Sequence, residues 1–188
     1  NKAIEAYSAA IDLSPEEADN YFNRGNVFFE LKEYNEAVED YTKVIELNPE
    51  YDAAYNNRGY CYDELGEHQK ALQDYTEAIE LRSDYVIAYC NRGDAYFDMG
   101  EYQKALNDVT KAIEINPQYP NPYKHMSTLK YECQEYDQAL EYLNKAINFD
   151  ESYKAAYETR AKVYHALGEH EKAKKDEERA EALSDTES

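Results

Sequence analysis

The sequence predicts an all-α protein of about 11 helices, arranged as antiparallel pairs that stack into a solenoid. Two observations predict this class. The segment "YFNRGNVFFELKEY" around Arg24 recurs around Arg58 and Arg92, so the motif Asn-Arg-Gly returns every 34 residues. Apolar residues within each repeat also recur at helical spacing in two segments. Stacked helix pairs of this kind are expected to form a right-handed superhelix with a concave inner face.

The helices of the second repeat illustrate the elements of each unit. The apolar pattern predicts one helix from about Tyr51 to Leu65 and another from about Gln69 to Leu81. Glycine follows the first helix in three repeats, where a left-handed residue ends a helix, at Gly66, Gly100 and Gly168. Tyrosine holds one position of the first helix throughout, at Tyr21, Tyr55, Tyr89, Tyr123 and Tyr157. The register therefore persists along the whole chain.

This register divides the chain into six segments. They are a truncated repeat that keeps only its second helix (1–17), three regular repeats (18–51, 52–85 and 86–119), a divergent repeat (120–153), and a C-terminal capping repeat with a short polar tail (154–188). In the divergent repeat, Met126 and Ser127 replace the arginine and the glycine. Glu177 makes the last helix polar, as expected of a terminal repeat that faces water. Because the sequence begins with Asn1 and not with Met, we expect it to be a piece of a longer protein.

The composition excludes several classes of protein. Asp and Glu total 40 against 20 Lys and Arg, and the net charge of −20 repels phosphate backbones, so no nucleic-acid partner is expected. No apolar run has the length of a membrane span, and no signal peptide is visible. The three cysteines are far apart and form no CxxC pair, which predicts neither a disulfide framework nor a zinc site. Free thiols favour a reducing, cytoplasmic location.

The repeated residues resemble those of the tetratricopeptide repeat (TPR) family over essentially the whole chain. The matching positions of the first repeat are Tyr21, Gly25 and Phe28 in the first helix, and Ala37, Tyr41, Val44 and Pro49 in the second helix and its exit. The resemblance implies a non-catalytic scaffold or adaptor that binds a protein or peptide in the concave groove. This chain departs from the usual pattern in its Asn-Arg-Gly motif, because most TPRs carry an aliphatic residue in place of the arginine.

An aspartate follows each repeated arginine by 16 residues. The pairs are Arg24 with Asp40, Arg58 with Asp74, Arg92 with Asp108 and Arg160 with Asp176. The repeat that has Met126 instead of arginine has Tyr142 instead of aspartate. Joint presence and joint loss predict a salt bridge between the two helices of each repeat, since a shielded charge without its partner is costly. The alternative is a direct ligand role for the arginine.

The asparagines that precede the arginines, Asn23, Asn57 and Asn91, are candidate ligand-binding residues. In related TPR arrays, an asparagine ladder at this position holds the backbone of an extended peptide. A carboxamide can do so because it offers two donors and one acceptor, which match a peptide unit. The alternative is that these asparagines only cap or bridge neighbouring helices.

Other positions on the same helical face complete the predicted peptide-binding groove. They are Asn26, Phe29, Glu30, Tyr60, Asp63, Glu64, Asp94, Phe97, Asp98, Thr128, Tyr131 and Glu132. Acidic and aromatic side chains together favour a basic peptide, held by charge and by cation–π contacts. The alternative is a solvated acidic face. The carboxylate clamp of chaperone-binding TPRs needs lysine and arginine at positions that here include Phe22 and Ile87, so acidic chaperone tails are not expected to bind.

Three functional hypotheses follow from these patterns. The leading one is a scaffold for an extended basic peptide. The alternatives are self-association into a homo-oligomer through the solenoid ends, and a substrate-targeting module of an enzyme whose catalytic part lies outside this segment. The histidines His68, His125, His165 and His170 have no cysteine or serine partner at a motif spacing, and no calcium loop surrounds Asp63, Asp94 or Asp98. No enzyme activity, cofactor or metal is therefore predicted.

Overall fold

The computed structural model describes residues 1–184, which form eleven α-helices and no β-strand. The helices are α1 (Lys2–Leu13), α2 (Ala18–Glu30), α3 (Tyr34–Leu47), α4 (Asp52–Glu64), α5 (His68–Leu81), α6 (Val86–Asp98), α7 (Tyr102–Ile115), α8 (Pro120–Glu132), α9 (Tyr136–Phe149), α10 (Lys154–Ala166) and α11 (His170–Ser184). Helix α2 packs on α3, α4 on α5, α8 on α9 and α10 on α11. The predicted all-α class is confirmed.

A short turn joins the two helices of each pair, and one residue of that turn has a positive φ. In three of the turns this residue is glycine: Gly66 (φ +77°), Gly100 (φ +75°) and Gly168 (φ +75°). In the other two turns, Lys32 and Gln134 take the same conformation, each with a φ of 60°. The prediction that these glycines end the first helix is confirmed, because glycine adopts the left-handed conformation without steric cost.

The exits of the second helices are fixed by short polar side chains. The Oδ1 atom of Asn48 accepts a hydrogen bond from the backbone N–H of Glu50 at 3.1 Å. In the same way, Oδ1 of Asn116 and Oδ1 of Asp150 each accept a hydrogen bond from the backbone N–H two residues later in the chain, at 3.1 Å and 2.8 Å. A side chain that satisfies its own turn in this way stops the helix and redirects the chain into the next pair.

The chain divides into two compact units, a first unit from Asn1 to Ala95 and a second unit that begins at Tyr96. In the first unit, Tyr41 is fully buried in a cluster with Ala37 and Cys61, and Tyr75 is fully buried in a cluster with Ala71 and Ala95. In the second unit, Leu143 and Val163 are fully buried in a cluster with small alanines. Small residues at these positions let the helices approach closely enough to enclose the larger side chains. No helix within residues 1–184 has both the length and the apolar character that a membrane crossing requires.

Candidate functional site

The predicted arginine–aspartate bridges hold the two helices of a repeat together. Nε and Nη2 of Arg58 donate to the two carboxylate oxygens of Asp74 at 2.7 and 2.8 Å. Two further bridges have the same bidentate geometry, Arg24 with Asp40 (2.8 and 2.7 Å) and Arg160 with Asp176 (2.7 and 2.7 Å). These three predictions are confirmed. Arg92 and Asp108 belong to different units, and their bridge stays a prediction.

Each arginine also reaches back to the preceding second helix, a contact that the sequence reasoning missed. The acceptors lie 16 residues earlier, and they are Ser8 for Arg24 (2.9 Å), Thr42 for Arg58 (3.1 Å), Thr76 for Arg92 (3.1 Å) and Asn144 for Arg160 (2.6 Å). The signal was present, because these small polar residues obey the 34-residue period. An arginine of this kind joins three helices with one guanidinium, so it has a structural role.

The environment of the guanidinium keeps it charged. The hydrogen bond with Asp40 raises the pKa of Arg24 above its usual value, and burial opposes this effect. The guanidinium carbon of Arg58 lies 5.7 Å from the ring centre of Tyr55 and 5.8 Å from that of Tyr62. Such placement over two rings adds cation–π attraction to the ion pair.

In the divergent repeat, uncharged side chains pack at the two positions that the arginine and the aspartate hold in the other repeats. Met126 is only 5% exposed and packs in a cluster with Val109 and Leu129, against which Tyr142 also lies. An apolar pair thus replaces the ion pair at both of its positions, as the joint loss in the sequence suggested. Replacing a buried pair as a whole avoids leaving one charge without a partner.

A hydrogen-bonded asparagine network crosses the first helices of the first unit. We use this name for Asn26 on α2, Asn56 and Asn57 on α4, and Asn91 on α6. The amide of Asn57 donates to Oδ1 of Asn26 at 3.2 Å, and the amide of Asn91 donates to Oδ1 of Asn56 at 3.0 Å. Asn56 and Asn57 are linked at 3.1 Å. Asn57 and Asn91 therefore bridge neighbouring helices, and their predicted ligand role stays a prediction.

The asparagine network retains hydrogen-bonding capacity. Among residues 1–184, the side chain of Asn23, the amide nitrogen of Asn26 and the carboxamide oxygen of Asn91 form no hydrogen bond with another residue. All three side chains are partly exposed. A carboxamide offers two donors and two lone pairs on its oxygen, so these groups are available to a polar ligand that approaches this face.

Aromatic residues lie on two of the same helices, Phe29 on α2 and Tyr60 on α4, and Tyr34 lies at the start of α3. Phe29 contacts Tyr60 edge to face, with ring centres 5.1 Å apart and an interplanar angle of 61°, and it contacts Tyr34 at 6.2 Å and 71°. The side chain of Tyr60 is 36% exposed. Burial, with the nearby carboxylate of Glu64, raises the pKa of Tyr60 to about 12. The same two causes raise the pKa of Tyr34, so both phenols stay neutral and can donate to a carboxylate.

Two of the three predicted groove aspartates, Asp63 and Asp94, lie in the first unit and differ in their surroundings. Asp63 is tied to its own helix pair, because its Oδ1 lies 2.7 Å from Nδ1 of His68 and its Oδ2 accepts from the hydroxyl of Tyr75 at 3.5 Å. Asp94 is partly buried, and its charge contributes to the raised pKa values of Tyr60 and Tyr75, for both of which burial is the larger cause. Asp63 therefore has a structural function whether or not it also meets a ligand.

The remaining predicted groove residues belong to the second unit. Phe97 contacts Tyr102 with ring centres 5.4 Å apart, and Tyr131 contacts Tyr136 at 5.5 Å. Asp98 is exposed. Each of these aromatic residues packs within its own repeat, and its predicted role in a groove stays a prediction.

The sequence reasoning missed two residues of the site. Asn56, only 4% exposed, connects Asn57 to Asn91, and the hydroxyl of buried Tyr41 donates to Oδ1 of Asn26 at 2.7 Å. Asn56 could have been noticed, since it is polar at the repeat position that Phe22 and Cys90 fill with less polar side chains. A polar residue at a buried position requires hydrogen-bond partners.

Comparisons with family models identify the repeat. Models described as tetratricopeptide repeat match residues 18–51, 86–119, 40–73 and 155–185, and a model described as TPR repeat matches residues 1–32 and 60–100. None of the curated proteins compared with the chain matches it.

Many solved structures share the fold. A tetratricopeptide repeat protein from Parabacteroides merdae ATCC 43184 is 25% identical, with a TM-score of 0.78 over 96% of this chain and 72% of that one. A chain of the APC/C hetero-tetramer Cut9-Hcn1 is 17% identical, with a TM-score of 0.89 over 98% of this chain and 37% of that one. YrrB, described as a TPR protein with an unusual peptide-binding site, is 20% identical, with a TM-score of 0.65 over 96% and 93%. The repeat matches and the shared fold together show that the chain belongs to the tetratricopeptide repeat family.

Proposed function

We propose that this protein–protein interaction scaffold binds an extended, basic peptide along the first helices of its first unit. The observation that carries the proposal is the asparagine network, which retains polar groups on neighbouring helices. An extended backbone presents N–H and C=O groups at regular intervals, which suits carboxamides that can donate or accept. YrrB, which has a similar fold, is described as having a peptide-binding site, and this supports a peptide as the ligand class.

Charge supports the basic character of the peptide. Glu30 and Glu64 are exposed on the same helices, and neither forms a salt bridge with a cationic side chain among residues 1–184. Glu64 lies beside the aromatic residues Tyr34 and Tyr60. A lysine or arginine of the peptide would meet a carboxylate and an aromatic ring together, and both attract cations.

The asparagine contribution can be measured with synthetic peptides. Each peptide would carry lysine and arginine among uncharged residues, and each would have a partner peptide with glutamine at the basic positions. We expect the Asn23→Ala variant to bind the basic peptides about 2–10-fold more weakly, as loss of one hydrogen bond predicts. Its thermal stability should not change, because Asn23 forms no hydrogen bond within the described residues. Fluorescence anisotropy gives the dissociation constants.

A matched control is Asn35→Ala, which removes an exposed carboxamide from the second helix α3 and should leave binding unchanged. The combined Asn23→Ala, Asn57→Ala and Asn91→Ala variant should bind least. Equal affinities for the wild-type protein and this triple variant would remove the asparagine network from the proposal. Equal affinities for basic and glutamine-substituted peptides would remove the basic preference.

The salt dependence of the peptide affinity separates the contribution of the charged side chains from that of the aromatic side chains. Raising the salt concentration from about 0.05 M to about 0.5 M shortens the Debye length from about 14 Å to about 4 Å, so a complex held by exposed carboxylates should weaken. The Glu30→Gln and Glu64→Gln double variant should show a smaller dependence on salt than the wild-type protein. Binding that does not change with salt in the wild-type protein would assign the affinity to Phe29 and Tyr60 instead.

The other hypotheses from the sequence stay predictions. Self-association through the solenoid ends and targeting of an enzyme outside this segment are not favoured by a particular contact in residues 1–184. TPR-repeat proteins are typically non-catalytic scaffolds, which agrees with the proposed binding function.

A further inference from the structure

One aromatic contact recurs in the second unit at the turn of each helix pair. It joins a residue near the end of the first helix to the residue five positions later, at the start of the second. The ring centres are 5.4 Å apart for Phe97 and Tyr102, and 5.5 Å apart for Tyr131 and Tyr136. In the last repeat the same two positions hold His165 and His170, with ring centres also 5.5 Å apart. The fold therefore brings two imidazole rings together at the positions where two other repeats bring together phenylalanine or tyrosine rings.

The ring nitrogens of this pair face each other. Nδ1 of His165 lies 3.2 Å from Nδ1 of His170. Two nitrogen ligands bound to Zn²⁺ at 2.0–2.1 Å with a tetrahedral angle are themselves about 3.3 Å apart. The separation of the two Nδ1 atoms thus matches the spacing that one metal ion requires of two imidazole ligands.

A carboxylate occupies the other side of the first imidazole. Oε1 of Glu177 lies 2.8 Å from Nε2 of His165, at a repeat position that Leu143 and Val109 fill with apolar side chains. A glutamate that accepts from Nε2–H fixes the tautomer in which Nδ1 of His165 carries the lone pair. Metal-binding histidines almost always have such a carboxylate, carbonyl or water partner on their second nitrogen. Glu177 therefore prepares His165 to act as a ligand.

We propose that His165 and His170 form a binding site for one divalent transition-metal ion of the class that imidazole prefers, Zn²⁺, Ni²⁺ or Cu²⁺, with Glu177 as a positioning residue. Binding of the ion displaces the proton that one Nδ1 atom donates to the other, and this proton is released to water. No group of three histidine, cysteine, aspartate or glutamate side chains in the described part of the chain is arranged to hold a metal. Water would therefore complete the coordination.

Both histidines are exposed, so an ion in solution can reach the pair. His165 and Glu177 line an open cavity of about 520 Å³ between α10 and α11. Their side chains are 46% and 53% exposed. The charged side chains that face this cavity are Lys154, Glu158, Lys162, Glu177 and Glu181, three carboxylates against two ammonium groups. Lys154 lies 3.5 Å from Glu158, so one of the two cations is already paired.

The chain itself supplies the variant that tests the site. His165→Phe with His170→Tyr restores the aromatic pair of the Phe97 repeat, so this double variant should fold, as its cooperative thermal unfolding would show. Calorimetric titration with Zn²⁺ should give one saturable site per wild-type chain and no such site in the double variant. Electron paramagnetic resonance of added Cu²⁺ should show nitrogen coupling in the wild-type protein alone. The matched control is His68→Gln, which should keep the Zn²⁺ site of the wild-type protein. In the second repeat His68 holds the position of His170, but it is paired with Asp63 and not with a second histidine.

Two further measurements test the role of Glu177 as a positioning residue and the role of the imidazoles as metal ligands. Glu177→Gln should weaken Zn²⁺ binding about 10–100-fold, as loss of a carboxylate partner of a metal ligand typically does. Lowering the pH from about 7.5 to about 5.5 should also weaken binding, because protons compete for the imidazole nitrogens. Equal Zn²⁺ binding by the wild-type protein and the His165→Phe/His170→Tyr variant, or no saturable site in the wild-type protein, would overturn the proposal. Unchanged binding by Glu177→Gln would overturn the positioning role.

Discussion

We expect the Asp74→Ala variant to lose about 3–5 kcal/mol of its free energy of unfolding, the range for breaking one partner of a buried ion pair. Asp74 is buried, and both of its oxygens accept hydrogen bonds from Arg58, whose side chain is 16% exposed. Removing the carboxylate leaves a guanidinium between two helices without its counter-charge. Arg58 cannot easily leave for water, because it also donates to Thr42 on the preceding helix.

Urea denaturation measures this loss, and thermal unfolding should shift down by about 6–20 °C for a chain of this size. The control for exposure is Glu46→Ala, which breaks the exposed pair of Lys43 and Glu46 and should cost at most about 1 kcal/mol. A loss below about 1 kcal/mol for Asp74→Ala would show that the buried bridge contributes no more than a surface pair.

The divergent repeat provides the second half of this experiment. The double variant Arg58→Met with Asp74→Tyr copies the pair that the chain itself places at Met126 and Tyr142. We expect the double variant to recover most of the stability that Asp74→Ala loses, because it removes both charges and fills the space with apolar atoms. A double variant as unstable as Asp74→Ala would show that the cost comes from lost shape complementarity and not from an unpaired charge.

The fold was predictable because its determinants are local and periodic. Helices predicted at about Tyr51–Leu65 and Gln69–Leu81 are observed at Asp52–Glu64 and His68–Leu81. The turn glycine Gly66 was recognisable because few other residues take a positive φ readily. The bridge from Arg58 to its aspartate could be found from the joint presence of the two residues. Features that repeat every 34 residues give several independent observations of each contact.

The candidate site was harder to predict because it depends on contacts between neighbouring repeats that do not recur. Asn56 joins Asn57 to Asn91, but no other repeat has an asparagine at that position. The hydrogen bond from Tyr41 to Asn26 likewise has no copy, since Tyr75 donates to Asp63 instead. The periodic pattern therefore located the face that carries the asparagines, and only the structure could show how much hydrogen-bonding capacity each of them has left.

The second large loss of stability is expected from substitutions at Tyr75 and Gly59, which pack against each other. The ring of Tyr75 is fully buried in a cluster with Ala71 and Ala95, so Tyr75→Ala is expected to cost about 3–5 kcal/mol, the range for aromatic residues in a core. A Cβ atom at Gly59 would lie 2.9 Å from Cε1 and 3.0 Å from Cδ1 of that ring. Because the enclosed ring cannot move aside freely, Gly59→Ala should cost about 1–3 kcal/mol.

The two substitutions should not be additive. In the Tyr75→Ala background, Gly59→Ala no longer meets the ring but keeps the contact with Cβ of Asp74 at 3.2 Å, and alanine is a better helix former than glycine by roughly 0.5–1 kcal/mol. The cost of Gly59→Ala should therefore fall well below its cost in the wild-type background, which a double-mutant cycle by urea denaturation would detect. Gly66→Ala is the matched control: nothing lies within 4 Å of its added Cβ, and its φ of +77° makes its cost a backbone effect. That cost should be the same with or without Tyr75, whereas an equal cost of Gly59→Ala in both backgrounds would show that the ring does not require the glycine.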